Sequence, residues 1–237
     1  MSFSANVKEE ISNQWSQARH CQIAELAALA GFCGCITVDG RDRYGIKFHT
    51  ENKAVARKVF TLLKKTFNID ANISVRRNME KHGTSYSVVV NGHEEARRVL
   101  QAVKMIDEYQ NGFEKVKAMN PIVTRQSCCK RAFLRGAFLA AGPMSDPNKS
   151  YHFEIVCGAG EMAARVQELM RGLSMDAKIV RRKKVYVVYL KEGEQIVDML
   201  NIMEAHISLM QLENVRIIKE MRNAVNRKVN CETANIN

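Results

Sequence analysis

Leu134-Arg135-Gly136-Ala137-Phe138-Leu139-Ala140-Ala141-Gly142 and Leu26-Ala27-Ala28-Leu29-Ala30-Gly31-Phe32-Cys33-Gly34 decide how this chain is read. Both stretches are apolar, rich in small residues and closed by glycine. Small residues one helical turn apart let two helix backbones approach closely. Ala24, Ala28 and Gly31 match Ala132, Gly136 and Ala140, so the two stretches are expected to pack on each other at a pseudo-twofold axis. One copy would suit any buried helix; two copies at matching positions favour pairing.

Outward from these helices the chain is written twice. Each copy continues with a polar loop and an alternating strand, Tyr44-Gly45-Ile46-Lys47-Phe48-His49 and Tyr151-His152-Phe153-Glu154-Ile155. A helix centred on Ala56-Arg57 or Ala164-Arg165 follows. Then Phe67-Asn68-Ile69-Asp70-Ala71-Asn72-Ile73 is echoed by Leu173-Ser174-Met175-Asp176-Ala177-Lys178-Ile179. Basic turns come next, Arg76-Arg77 and Arg181-Arg182-Lys183-Lys184, and then β-branched strands, Tyr86–Val90 and Tyr186–Leu190. Amphipathic helices near Glu94–Lys104 and Glu194–Met203 close the copies. The fold class is therefore α+β: two pseudo-symmetric repeats followed by a C-terminal helical segment. The expected organisation is an N-terminal helix at 1–20, repeats at 21–110 and 128–205 joined by a linker at 111–127, and a helical segment at 206–237.

A chain of 237 residues with a formal charge of +11 points to a polyanionic partner, because Lys and Arg that neutralise phosphates release condensed counterions. Strands that bury Ile46/Phe48 and Phe153/Ile155 turn Lys47/His49 and His152/Glu154 to the other face. Asn72/Ser74/Arg76 and Lys178/Arg182 can share that face. Such a sheet can lie over DNA, with Arg76, Arg77, Arg181, Arg182, Lys183 and Lys184 on phosphates. Glu154 argues against a uniformly DNA-facing surface. Along the C-terminal helix Arg216, Lys219 and Arg227 line a face that can reach phosphates; the alternative is a helix packed on the body.

No phosphate loop or nucleophile motif is present, and no cofactor or metal site is expected. The seven cysteines show no CxxC spacing, and Cys33/Cys35 and Cys128/Cys129 read as reduced, buried small hydrophobes. His49, His82, His93, His152 and His206 read as surface or capping residues. Asp39 and Asp146 are the acids close behind the two terminal glycines. The apolar run 26–38 is too short to span a bilayer, so the expectation is a cytoplasmic, nucleoid-associated protein with no membrane or small-molecule partner.

The two opening stretches resemble the LAGLIDADG helices of homing endonucleases. In those enzymes the residue before the final glycine is a carboxylate that holds the catalytic metal. Here the matching positions are Cys33 and Ala141, so the resemblance implies the scaffold of a DNA-cutting enzyme without its cutting group. Over the whole chain the sequence is similar to the WhiA family. The resemblance is carried by Cys128–Gly142, Ser145-Asp146-Pro147, Lys149–Glu154, Tyr186–Glu194, Glu213–Arg216, Val225-Asn226-Arg227 and Asn230-Cys231-Glu232, with Ser2-Phe3-Ser4 and Val7–Glu10 at the start. It implies a bacterial, non-enzymatic regulator that binds double-stranded DNA and acts in cell division, chromosome segregation and, in some lineages, sporulation. Other transcription factors or RNA polymerase are further partners of that reading. It also implies a C-terminal helix-turn-helix domain, which would begin where this sequence stops. Two rivals are an active nuclease and a protein-interaction scaffold.

Overall fold

Ser2 opens the first helix by accepting the backbone N–H of Ala5 on its Oγ at 3.2 Å, and α1 runs Phe3–Ser12. The computed structural model describes residues 2–40, 43–78, 83–106 and 120–236. The expected linker lies outside the described residues as far as residue 119. Its described part holds a 3-10 turn, Pro121–Thr124, opened by Asn120.

The first repeat comprises α2 (Arg19–Cys33), β1 (Gly34–Val38), β2 (Tyr44–Thr50), α3 (Lys53–Phe67), β3 (Asn72–Asn78), β4 (Gly83–Val90) and α4 (His93–Ala102). The second comprises α5 (Ser127–Ala141), β5 (Phe153–Cys157), α6 (Gly160–Arg171), β6 (Lys178–Arg182), β7 (Val185–Leu190) and α7 (Gly193–Ile202). A single long helix, α8 (His206–Ile236), follows. The repetition extends to backbone detail. Asn68 and Ser174, at matching places after α3 and α6, take φ of 55° and 65°. Lys104 and Glu204, just past α4 and α7, take 58° and 64°. Left-handed residues at these points let the chain leave a helix and turn back onto its sheet.

Both sheets are antiparallel, with orders β1-β2-β4-β3 and β5-β7-β6. The second copy thus has three strands where the first has four. Opposite Phe153 stands only an isolated bridge from Met144, flanked by Ser145 N–H to His152 O at 2.9 Å and Glu154 N–H to Pro143 O at 3.1 Å. Pro143 and Pro147 have no N–H to donate, which keeps this segment from extending into a strand.

Helices α2 and α5 lie side by side at the centre. A Cβ on Gly136 would fall 2.5 Å from the Glu25 carbonyl oxygen and 3.0 Å from Ala28 Cβ, so the backbones touch there. Ala24, Ala28 and Ala132 are fully buried. Gly31 departs from the paired arrangement: it is exposed, and its neighbours are the methyl ends of Met162 and Met105. Ala140 is half-buried.

An ion network crosses the helix pair and breaks its symmetry. Buried Arg135 grips buried Glu25 through Nε at 3.1 Å and a terminal nitrogen at 3.3 Å. It also donates to Glu204 and to Ser16 Oγ, each at 2.8 Å. Lys58 lies 3.2 Å from Glu25, donates to the Gln14 carbonyl, and sits 4.1 Å from the Trp15 ring centre. Burial disfavours the Arg135 charge, but Glu25 and Glu204 more than offset it and hold its pKa above the ordinary value. For Lys58 burial wins, and its pKa falls despite Glu25. Two acids and two bases close the cluster at formal neutrality.

Candidate nucleic-acid interface

Strand register decides which side chains share a face. In the first sheet Lys47 and Asn72 both pair with Val89 from either side, His49 and Ser74 both pair with Ser87, and Arg76 pairs with Ser85. Paired residues point to the same side. Lys47, His49, Asn72, Ser74 and Arg76 therefore form one exposed polar face, opposite the side where Ile46, Phe48 and Val88 are buried. His49 Nδ1 lies 3.4 Å from Ser87 Oγ. Arg76 and Arg77 are not in a turn, as expected from sequence, but inside β3. They consequently point to opposite faces, and only Arg76 joins Lys47.

The second sheet differs. Glu154, Tyr189 and Lys178 line up across the face turned away from Phe153 and Ile155, and Val156, Val187 and Val180 form the next row; Glu154 and Val187 are nonetheless buried. Arg182 belongs to this face and binds Glu154 at 2.6 Å, while His152 closes on the same carboxylate at 2.5 Å. Arg181 turns to the other side, 5.9 Å from the Tyr186 ring centre. Lys183 and Lys184 make the exposed hairpin turn, Lys183 with φ 54°. The basic run Arg181–Lys184 is thus divided by the strand period among two faces and a turn.

At the C-terminal ends of the helix pair, Cys33 donates its Sγ hydrogen to Leu29 O at 3.1 Å. Ala141 is the last residue of α5. Lys8 of α1 reaches this end: its Nζ lies 5.6 Å from the Phe138 ring centre and interacts electrostatically with Cys33. Burial lowers the Lys8 pKa to about 8, with Cys33 working weakly the other way. Burial pushes the Cys33 thiol up to about 12, so it stays neutral. Among the described residues the acids after the two glycines do other work. Asp39 binds Arg43 at 2.7 Å, and Asp146 accepts the Asn148 backbone N–H at 2.9 Å. Sequence reasoning gave Lys8 no role, because nothing local marks a lysine that crosses to a distant helix end.

Arg216 and Lys219 are drawn into the body. Arg216 binds Glu213 at 2.8 Å and lies against Gly193, and Lys219 donates to Pro147 O at 2.7 Å beside Tyr151. Glu10 of α1 accepts the Ile207 and Ser208 backbone N–H groups at 2.7 and 2.9 Å, anchoring the start of α8. From Met221 to Ala234 every residue of α8 is exposed, Arg227 included.

Of the histidines, His93 accepts the Tyr44 N–H at 2.9 Å and stacks on its ring; His82 lies outside the described residues. The cysteines depart from the expectation of burial: Cys129 is buried and Cys33 half-buried, but Cys35 and Cys128 are exposed. His20, Cys21, Cys128 and Cys129 bring their ligand atoms within 4.8 Å of one another. Adjacent residues on two helices far apart in sequence leave no CxxC signature, which is why sequence spacing missed the cluster.

Two repeats, each a sheet backed by helices and joined through a small-residue helix pair, define a LAGLIDADG-type body. Structures of the homing endonuclease I-DmoI share this fold: one complex with target DNA and Mn superposes with a TM-score of 0.55 at 14% identity, covering 79% of this chain and 98% of that one. The full-length WhiA structure from Thermotoga maritima gives a TM-score of 0.73 at 22% identity, covering 99% of this chain and 73% of that one. The model of the WhiA N-terminal LAGLIDADG-like domain matches residues 19–106, and that of the WhiA LAGLIDADG-like domain matches 130–222. A probable cell division protein WhiA from Lachnoclostridium phytofermentans is 54% identical over 238 residues, covering all of this chain and 76% of that protein. One from Alkaliphilus oremlandii is 47% identical, with 74% of its length covered. The chain belongs to the WhiA family. Among the described residues no helix is long and apolar enough to cross a membrane.

Proposed function

We propose that this chain is a non-enzymatic DNA-binding body of a transcriptional regulator serving cell division, chromosome segregation and, in some lineages, sporulation. One observation carries the reading: a polar recognition face coexists with a helix-pair end that has lost its acids and gained a cation. Lys47 and Arg76 can neutralise phosphates, while His49, Asn72 and Ser74 between them can reach base edges. Metal-assisted phosphodiester cleavage needs fixed carboxylates around divalent ions. Cys33 and Ala141 supply none, and the Lys8 ammonium repels a divalent ion from that end.

Fluorescence anisotropy of this chain with labelled duplex DNA, titrated over salt, tests the proposal. Binding should weaken with a log–log slope near −0.9 per neutralised phosphate. The double variant Lys47→Ala/Arg76→Ala should weaken binding and flatten the slope by about 2. Arg182→Ala should act less, because Glu154 already neutralises it. Mg²⁺ or Mn²⁺ should leave the duplex intact, and specific cleavage would overturn the reading. Absence of binding even at low salt favours a second reading, an interaction scaffold whose partner is another transcription factor or RNA polymerase. The exposed stripe Ile217, Ile218, Met221, Val225 and Val229 on α8 supports that alternative.

A further inference from the structure

We propose that His20, Cys21, Cys128 and Cys129 form a structural zinc site that staples the two repeats together at the N-terminal ends of the paired helices. The four ligand atoms lie within 4.8 Å of one another, His20 Nδ1 being 3.1 Å from Cys129 Sγ and 3.3 Å from Cys21 Sγ. Zinc–sulfur bonds of about 2.3 Å and zinc–nitrogen bonds of about 2.0 Å place tetrahedral ligand atoms roughly 3.5–3.8 Å apart. The cluster thus needs adjustments of about an ångström or less. Three sulfurs and one imidazole make a closed, soft donor set, the kind that selects zinc over magnesium and leaves no open position for catalysis.

The placement follows the repeat. His20 and Cys21 are the second and third residues of α2, and Cys128 and Cys129 are the second and third residues of α5. Each copy therefore contributes an adjacent pair from the same helical position. Neither helix has a side-chain hydrogen bond at its N-cap, so the positive ends of both face the cluster without a capping oxygen. Helix N-termini stabilise thiolates. On binding, zinc replaces three thiol protons, which pass to solvent, and leaves a complex of net charge −1. Cys33 lies about 18 Å along α2 from Cys21, so this site is separate from the helix end that carries the metal in the endonucleases.

The test uses the whole chain, free of affinity tags, purified from zinc-supplemented medium. Mass spectrometry of total metal should find about one zinc per chain, and Co²⁺ replacement should give the thiolate charge-transfer and visible bands of a tetrahedral site. His20→Ala and Cys128→Ser alter exposed side chains, so circular dichroism should stay native. Their competitor-measured zinc affinity should fall by more than about 100-fold. Cys35→Ser, exposed and outside the cluster, should change nothing. A folded chain with neither zinc nor cobalt bands would overturn the proposal. So would zinc binding that survives His20→Ala/Cys128→Ser, or an as-isolated mass two hydrogens short with a linked Cys21 peptide, which marks a disulfide.

Discussion

Gly136 and Gly31 look alike in sequence, each a small residue on a repeat helix, but their surroundings give opposite outcomes on substitution. Gly136→Ala drives a methyl into the Glu25 carbonyl, a backbone atom that cannot swing aside. It should cost about 1–3 kcal/mol by urea denaturation. Gly31→Ala meets only the flexible ends of Met162 and Met105, at 3.3 and 3.7 Å, and gains helix propensity. It should be neutral or mildly stabilising. Lys8 presents another residue-scale balance. Lowering its pKa from 10.5 to about 8 corresponds to a penalty of about 3 kcal/mol for the charged form. Partial solvent screening and the carbonyl ends of α2 and α5 reduce it. Because the folded pKa is depressed, the unfolded chain binds more protons between about pH 8 and 10.5, and stability rises with pH across that window. Lys8→Met should gain about 1–2 kcal/mol at pH 7, raise Tm by several degrees, and flatten that pH dependence.

At the scale of elements, α2 and α5 were legible as a pair because small residues recur at matching positions. What holds them was not legible. Glu25 sits at the edge of an apolar run and Arg135 inside one, 110 residues apart, and each alone reads as an intrusion. Only their meeting, with Lys58 and Glu204 beside them, makes burial of either charge tolerable. Glu25→Ala should cost about 3–5 kcal/mol in chemical denaturation, because two buried cations lose their shared partner. The strands tell a similar story. Alternation predicted the faces of β2 and β5, since one side must be apolar. It could not predict where the hairpins turn. Arg76 and Arg77 look like one basic patch until the strand period sends them to opposite sides.

For the whole molecule, two copies of one pattern determined an α+β body with a pseudo-twofold axis, because each small-residue helix must bury its face against its twin. The matched left-handed residues after α3/α6 and α4/α7 belong to that same repetition. Sequence also carried the net charge and the missing acids at Cys33 and Ala141. Tertiary structure decided what each end of the helix pair holds: Lys8 at one, and four soft ligands at the other. It also decided that the corresponding sheet faces differ, exposed and polar in the first copy, and in the second valine-rich and partly buried with a neutralised arginine. The physical reason is common to all of these. Periodicity constrains residues a turn or a strand step apart, whereas a lysine's reach or a ligand tetrahedron depends on distances between segments set only when the core closes.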